Sequence, residues 1–504
     1  MVEHRSPKPR AVGSSPSTPA SVPSFPIGLL PAIALALLAA LPFVVATHPQ
    51  MTDYPAHLAR YHVMLDAGRT PELARAYSFT WRWSGNLGAD ILIRPLAALF
   101  GLEPAGRLLG GSIAVLTGLG IIAIEWVLRR RVGIGGLLAM AAIWSPAMVL
   151  GFLNFTLALA LALFAFAAWV ALEGKRWREV LFVPIGLAVW LCHLSGWGVL
   201  GIMVFGYEWH RRRSWSAFLA PWPLVAPLLP TLLFDSGAGG ALSYGHHVLT
   251  SKTGLWLRAL RDQVEWLDVT SAVLLGGGFC LALALRRIDG RLGWSAIMLA
   301  GLSWIVPRHL GGGDFADYRL IAVSLMFGAL AIEWRAPRWA LWLAPLLFLA
   351  RLAVTMQAWH AGSARLEPML AALDRVPRGA VVAGAVTEEL GVWGFGPFGH
   401  AVDYAVFRKD ALTNANFAVP GVHMLQLKSQ PPGFVDPSQR IFHFDGQLIR
   451  LDQFAPARRA DYLWAIVGPG IVGAARTVPV PGMTVIASGP GWFLARLAKP
   501  GPHG

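Results

Sequence analysis

Three stretches and one isolated histidine carry the residues that could do chemistry. In Thr52-Asp53-Tyr54-Pro55-Ala56-His57-Leu58-Ala59-Arg60 a carboxylate, an imidazole and a guanidinium recur at i, i+4 and i+7, so a helix there places all three on one face. A carboxylate with an imidazole at hand can take a proton from a hydroxyl, and a nearby guanidinium can hold an anion. The competing use of Asp53 is structural, because an aspartate followed two residues later by proline is also a sound helix N-cap. The second stretch contributes Arg308, His309, Asp314, Asp317 and Arg319 around a run of glycines. Forked guanidinium donors match a phosphate or pyrophosphate, whereas Asp-Arg pairing within the stretch, or contact with lipid headgroups, uses the same groups for structure. The two aspartates leave a divalent cation open as a cofactor without defining a ligand set. His193 lies inside an apolar run and must either pair within a helical bundle or reach a polar cavity. Tyr244-Gly245-His246-His247 has adjacent histidines, a poor spacing for a metal on one helix face, and reads as a solvated loop.

Other patterns exclude functions. Gly394-Phe395-Gly396-Pro397-Phe398-Gly399 has dinucleotide-type glycine spacing, but Pro397 is ill suited to opening the required helix and no clean strand precedes it. Cys192 and Cys280 both sit in apolar stretches and read as small core residues rather than a disulfide or zinc pair. The formal net charge of +14 does not point to nucleic acid, since the basic residues fall in short clusters between apolar runs.

The elements that must position these residues are membrane helices. Of the 504 residues, 55% are hydrophobic and 14% charged, a balance foreign to soluble domains. A bilayer core needs roughly 17 to 25 apolar residues per helical crossing, and Phe25–Ala46 meets that without a charge. Residues 1–24 form a Ser/Pro-rich basic tail, and the apolar run after them is too long for a cleaved signal core. Keeping short basic clusters on the cytoplasmic side orders the further crossings: Pro104–Leu128, Ile134–Gly151, Phe152–Leu172, a short pair within Val180–Tyr207 turning near His193, Trp215–Phe234, Val269–Leu285, Leu292–Val306, Leu320–Ile332 and Trp339–Met356. The total is about eleven crossings.

Residues 25–356 then form the transmembrane domain, with 48–103 and 235–268 as outer loops. An interfacial helix is expected over Leu255–Leu267, carrying Trp256 and Trp266. Residues 357–504 read as a small outer α/β domain, with a helix at Arg365–Val376 and strands at Ala380–Val386, Leu463–Val467 and Met483–Ile486.

This arrangement resembles the GT-C superfamily of membrane glycosyltransferases, which includes protein mannosyltransferases and the aminoarabinose transferase of lipid A. The resemblance is carried by Asp53 just after the first helix, the interfacial helix around Trp256 and the domain after Met356, and Gly151-Phe152-Leu153-Asn154-Phe155 is similar to bacterial relatives. It implies an α-helical polytopic protein of the bacterial inner membrane, N-terminus cytoplasmic and C-terminal domain periplasmic. The implied reaction is inverting transfer of a sugar from a polyprenyl-phosphate donor to a lipid, glycan or protein acceptor. Asp53 is then the catalytic base, and His57, Arg60, His193, Arg308, His309, Asp317 and Arg319 are candidates for substrate and phosphate binding. Many members carry two adjacent acids in the first loop, whereas Tyr54 follows Asp53 here, which leaves metal dependence open. Two readings of other classes compete. A transporter or flippase predicts charges near the bilayer midplane, and a noncatalytic assembly protein predicts that Asp53 is replaceable.

Overall fold

The computed structural model describes residues 28–229, 242–310, 312–334, 337–389, 391–420, 422–429, 431, 433–434, 441–444, 448–467 and 477–498. The expected tail 1–24, the start of the crossing at Phe25, residues 235–241 of the second outer loop and Phe234 lie outside them.

A bent first helix, α1 (Leu29–Leu38) and α2 (Leu41–Val45), leads into α3 (Tyr54–Asp66). Pro42 beside the break removes a backbone donor, which accounts for the bend. The expected outer loop 48–103 is built rather than open: α4 (Pro71–Ala76), strand β1 (Tyr77–Phe79) and α5 (Gly88–Phe100) follow, and α3 is buried along most of its length. Then come α6 (Leu102–Arg129), α7 (Ile134–Ala139), α8 (Pro146–Leu150) and α9 (Leu153–Ala171).

Helices α10 (Arg178–Cys192) and α11 (Leu194–Arg212) form the expected hairpin, with His193 in extended conformation at the turn. Their far ends meet where Arg178 pairs with Glu208 at 3.2 Å. The next expected crossing, Trp215–Phe234, is not a continuous helix among the described residues. It breaks into short turns at Trp215–Leu219 and Trp222–Val225, because Pro221, Pro223 and Pro227 remove donors and clash with the preceding turn.

The expected interfacial helix is displaced: α12 (Val248–Leu257) carries Trp256, and Trp266 belongs to the first turn of α13 (Glu265–Ala284). After α14 (Gly290–Ile305) and α15 (Tyr318–Ala331), α16 runs unbroken over Arg338–Ala372. The helix expected at Arg365–Val376 is therefore the continuation of the last crossing, and the chain makes no break at residue 356.

Among the described residues four helices are long and apolar enough to cross a membrane: Leu102–Arg129, Leu153–Ala171, Glu265–Ala284 and Trp339–Arg375. Leu274, Leu281, Trp342 and Leu346 on α13 and α16 remain exposed, as lipid-facing side chains do. The basic clusters gather at one end of the bundle. There Arg129 pairs with Asp289 at 3.3 Å, Arg211 with Glu173, and Arg213 lies 6.0 Å from the Trp294 ring centroid.

The opposite end carries the C-terminal region. Strand β2 (Val381–Glu389) is its spine, parallel to β3 (Leu412–Thr413), β5 (Ile441–Phe444) and β7 (Tyr462–Val467). Strand β10 (Trp492–Arg496) runs antiparallel to both β7 and β9 (Thr484–Gly489). Alternation along β2 puts Val382 and Val386 against Leu366, Met369 and Leu370 of α16, and Ala383 and Ala385 against Leu451 and Phe454. Both faces are covered, as parallel strands require. Helix α17 (Tyr404–Lys409) packs on α3, and β1 pairs with β4 (Leu425–Leu427), so the first loop and the C-terminal region share a core through Val63, Leu73, Val406 and Leu425.

Candidate active site

Asp53 occupies the N-cap position of α3, yet its backbone is helical and its side chain makes no capping bond. The capping use is thereby set aside, and the carboxylate is directed elsewhere. The segment is fixed from below: the Asp53 N–H donates to the Leu150 carbonyl at 2.9 Å, and the Thr52 hydroxyl donates to the Gly396 carbonyl at 3.1 Å. Gly151 permits this approach. Its φ of +91° is left-handed, and a Cβ there would stand 3.2 Å from Met51 Cβ and 3.4 Å from Asp53 Cβ.

The Gly151 carbonyl accepts from His57 Nε2 at 3.0 Å, so that nitrogen carries the ring proton and Nδ1 is bare. Burial, reinforced by the charge of Arg60, holds His57 well below the usual imidazole range. His57 is thus a neutral strut between α3 and the turn before α9, rather than a partner to Asp53.

Arg319 opens α15 with its guanidinium 4.6 Å from the Phe152 ring centroid and 5.8 Å from that of Phe155. It is paired with no carboxylate among the described residues, and its Nε is buried without a hydrogen-bond partner. The charges of Asp314, Asp53 and Asp317 all act on it. His193 closes the same corner: its Nδ1 accepts from the Ser195 N–H at 3.0 Å, and its ring meets Phe155 edge-on at 5.6 Å. The turns before α3, α9, α11 and α15 therefore bring Asp53, His193 and Arg319 around the Gly151–Phe155 segment.

The other candidates are committed elsewhere. Arg60 donates to buried Asp90 at 2.9 Å, and Asn154 donates to the same carboxylate oxygen at 3.2 Å. Arg308 forms a bidentate pair with Asp314, at 2.9 and 3.1 Å, and His309 stands 3.3 Å from that carboxylate; all three are part-exposed at the rim. Asp317 is buried against Lys252 Nζ at 2.6 Å and also accepts from the Tyr318 N–H. Asp314 and Asp317 thus face different cations and do not converge on one ion. No group of three or more His, Cys, Asp or Glu suited to a metal occurs among the described residues.

The residue that sequence reading missed is His400. Its Nε2 lies 3.7 Å from Asp53 Oδ1, and its other nitrogen faces the Ala415 carbonyl at 2.7 Å and Asp403 at 3.3 Å. Phe417 packs between imidazoles, 4.8 Å from His400 and 5.7 Å from His57. His400 directly follows the glycine-rich stretch set aside above, whose use is to cross the bundle end. There Arg261 donates to the Gly394 carbonyl at 2.8 Å and Trp393 donates to Asp268 at 2.7 Å.

No protein-family model matches the sequence, and no curated protein matches it. Among solved structures, three chains match. The crystal structure of ArnT from Cupriavidus metallidurans bound to undecaprenyl phosphate is similar over 93% of this chain and 97% of its own, with 12% sequence identity and a TM-score of 0.45.

Proposed function

We propose that this protein is a membrane glycosyltransferase that moves a sugar from a polyprenyl-phosphate donor to an envelope acceptor. The observation that carries the reading is Arg319: a half-buried guanidinium whose Nε is shut off without a hydrogen-bond partner and which has no carboxylate partner among the described residues, braced on Phe152 and within electrostatic reach of Asp53. A phosphate leaving group supplies the missing anion, and Asp53 supplies the base.

In this mechanism the acceptor hydroxyl gives its proton to Asp53 as its oxygen bonds to the anomeric carbon. The bond from that carbon to the phosphate oxygen breaks on the opposite side, inverting the centre, and its electron pair leaves with the phosphate beside Arg319. The donor's lipid tail lies along the apolar helices while its head reaches the loops. His193 backs the pocket, Arg308 and His309 form its rim, and Asp317 fixes the start of α15 through Lys252. Because the basic clusters mark the cytoplasmic end, the site faces the periplasm of a bacterial inner membrane, with residues 357–504 on that side. Buried ionic groups within the helices do not favour a transporter: Arg351, for example, is fully engaged by Asp268 and the carbonyls of Ala141, Trp144 and Leu260.

The test is release of undecaprenyl phosphate from undecaprenyl-phosphate-linked hexoses and pentoses by purified protein in liposomes, with a membrane extract as acceptor. Consumption of at least one donor is expected. A panel left wholly intact would remove the reading.

A further inference from the structure

The C-terminal region reaches the base itself. Asp403 and His400 lie on one turn of that region, both almost fully buried, and His400 Nε2 faces Asp53 Oδ1 at 3.7 Å. The Ala415 carbonyl, 2.7 Å from His400 Nδ1, can only accept, so Nδ1 carries a proton. In a neutral ring Nε2 would then present a lone pair to a carboxylate oxygen. That lone pair would be repelled by the carboxylate, whereas a protonated Nε2 is attracted to it across the 3.7 Å gap. A second buried carboxylate, Asp403, stands 3.3 Å from Nδ1 and takes a hydrogen bond from the Thr413 hydroxyl, so negative charge flanks the imidazole on both sides.

We infer that His400 is held as an imidazolium by Asp403 and serves as the positioning residue that keeps Asp53 ionised and oriented for proton abstraction. This rests on Asp53 being the base of the proposed transfer. The groups that face His400 include Asp53 and the neutral His57 from α3 and Asp403 from its own turn; across the site, the Arg319 charge acts on Asp53. The C-terminal region is thereby part of the reaction centre: it sets the protonation of a residue in the first loop.

The experiment reads that protonation directly, with no sugar donor. Full-length protein in liposomes is treated with dicyclohexylcarbodiimide, which reacts with protonated carboxyls, and labelling at Asp53 is followed by mass spectrometry against pH; D53N fixes the background. Removing a cation at this distance raises the labelling midpoint by about one pH unit or more in H400Q, and D403N moves it in the same direction. A midpoint unchanged in both variants overturns the inference. D403N keeps the test open should H400Q fail to fold. In the transfer assay H400Q should lower kcat more at pH 6 than at pH 8 with donor KM unchanged, whereas a structural role lowers activity equally at both. Retained transfer by D53N would instead remove the underlying reading, leaving the labelling result to stand on its own.

Discussion

Arg60 and Asp90 form a buried ion pair, 2.9 Å apart, that joins α3 to α5 and is completed by Asn154 of α9. It fixes the helix that begins at Asp53 and leaves Arg60 unavailable to a phosphate. Arg60→Met alone strands the Asp90 charge and should cost about 3–5 kcal/mol. Arg60→Met combined with Asp90→Leu should regain most of that loss. Thermal unfolding in detergent checks both, and a single variant as stable as wild type would contradict the assignment.

Gly151 should tolerate no side chain. Gly151→Ala combines a left-handed backbone with a contact at 3.2 Å to Met51, and about 1–3 kcal/mol of strain is expected together with loss of activity. Gly174→Ala is the control, since it shares a positive φ of 77° but has nothing within 4 Å. It should lower Tm slightly and leave turnover intact.

Arg319 and Arg308 should separate in kinetics. Arg319→Met removes the cation beside the leaving group and is expected to lower kcat/KM by about 10²–10³-fold, the scale of losing one preorganised charge-stabilising donor. Arg308→Met breaks a part-exposed pair with Asp314 and should cost less than about tenfold. Equal losses would show that the two arginines act as one binding site.

Stability should carry a pH signature from Asp262, in the linker between α12 and α13. Burial pushes its carboxyl up to about 6, against opposing effects from Arg351 and a hydrogen bond from Thr355. A carboxyl whose folded value exceeds its unfolded value favours the folded state at low pH, so this contribution is full below about pH 4 and is lost as pH rises through about 6. Its size is about 1–3 kcal/mol. Asp262→Asn should flatten the pH dependence of Tm between pH 4 and 6, and an unchanged slope would contradict it.

The helices and the hairpin at His193 were legible because apolar run length and basic flanks are local properties. The break over Trp215–Val225 within an expected crossing was legible too, had its prolines been weighed above its hydropathy. The joining of the last crossing to the helix after it was not, since no Gly or capping residue separates them and hydropathy alone drew the boundary. For the candidate site, Asp53 and Arg319 stood out by residue type, but their surroundings are set by residues distant in sequence. Nothing near Arg60 announces Asp90 as its partner, and nothing near Asp53 announces His400. Those contacts depend on the C-terminal region folding over α3, which no local periodicity encodes.

The central claim is tested most directly by sugar transfer from radiolabelled polyprenyl-phosphate donors in membranes containing equal amounts of wild type or Asp53→Asn. General-base loss predicts incorporation reduced by about 10²–10⁴-fold in the variant, with its folded state and Tm retained. Incorporation equal to wild type would contradict the account and remove Asp53 from the reaction.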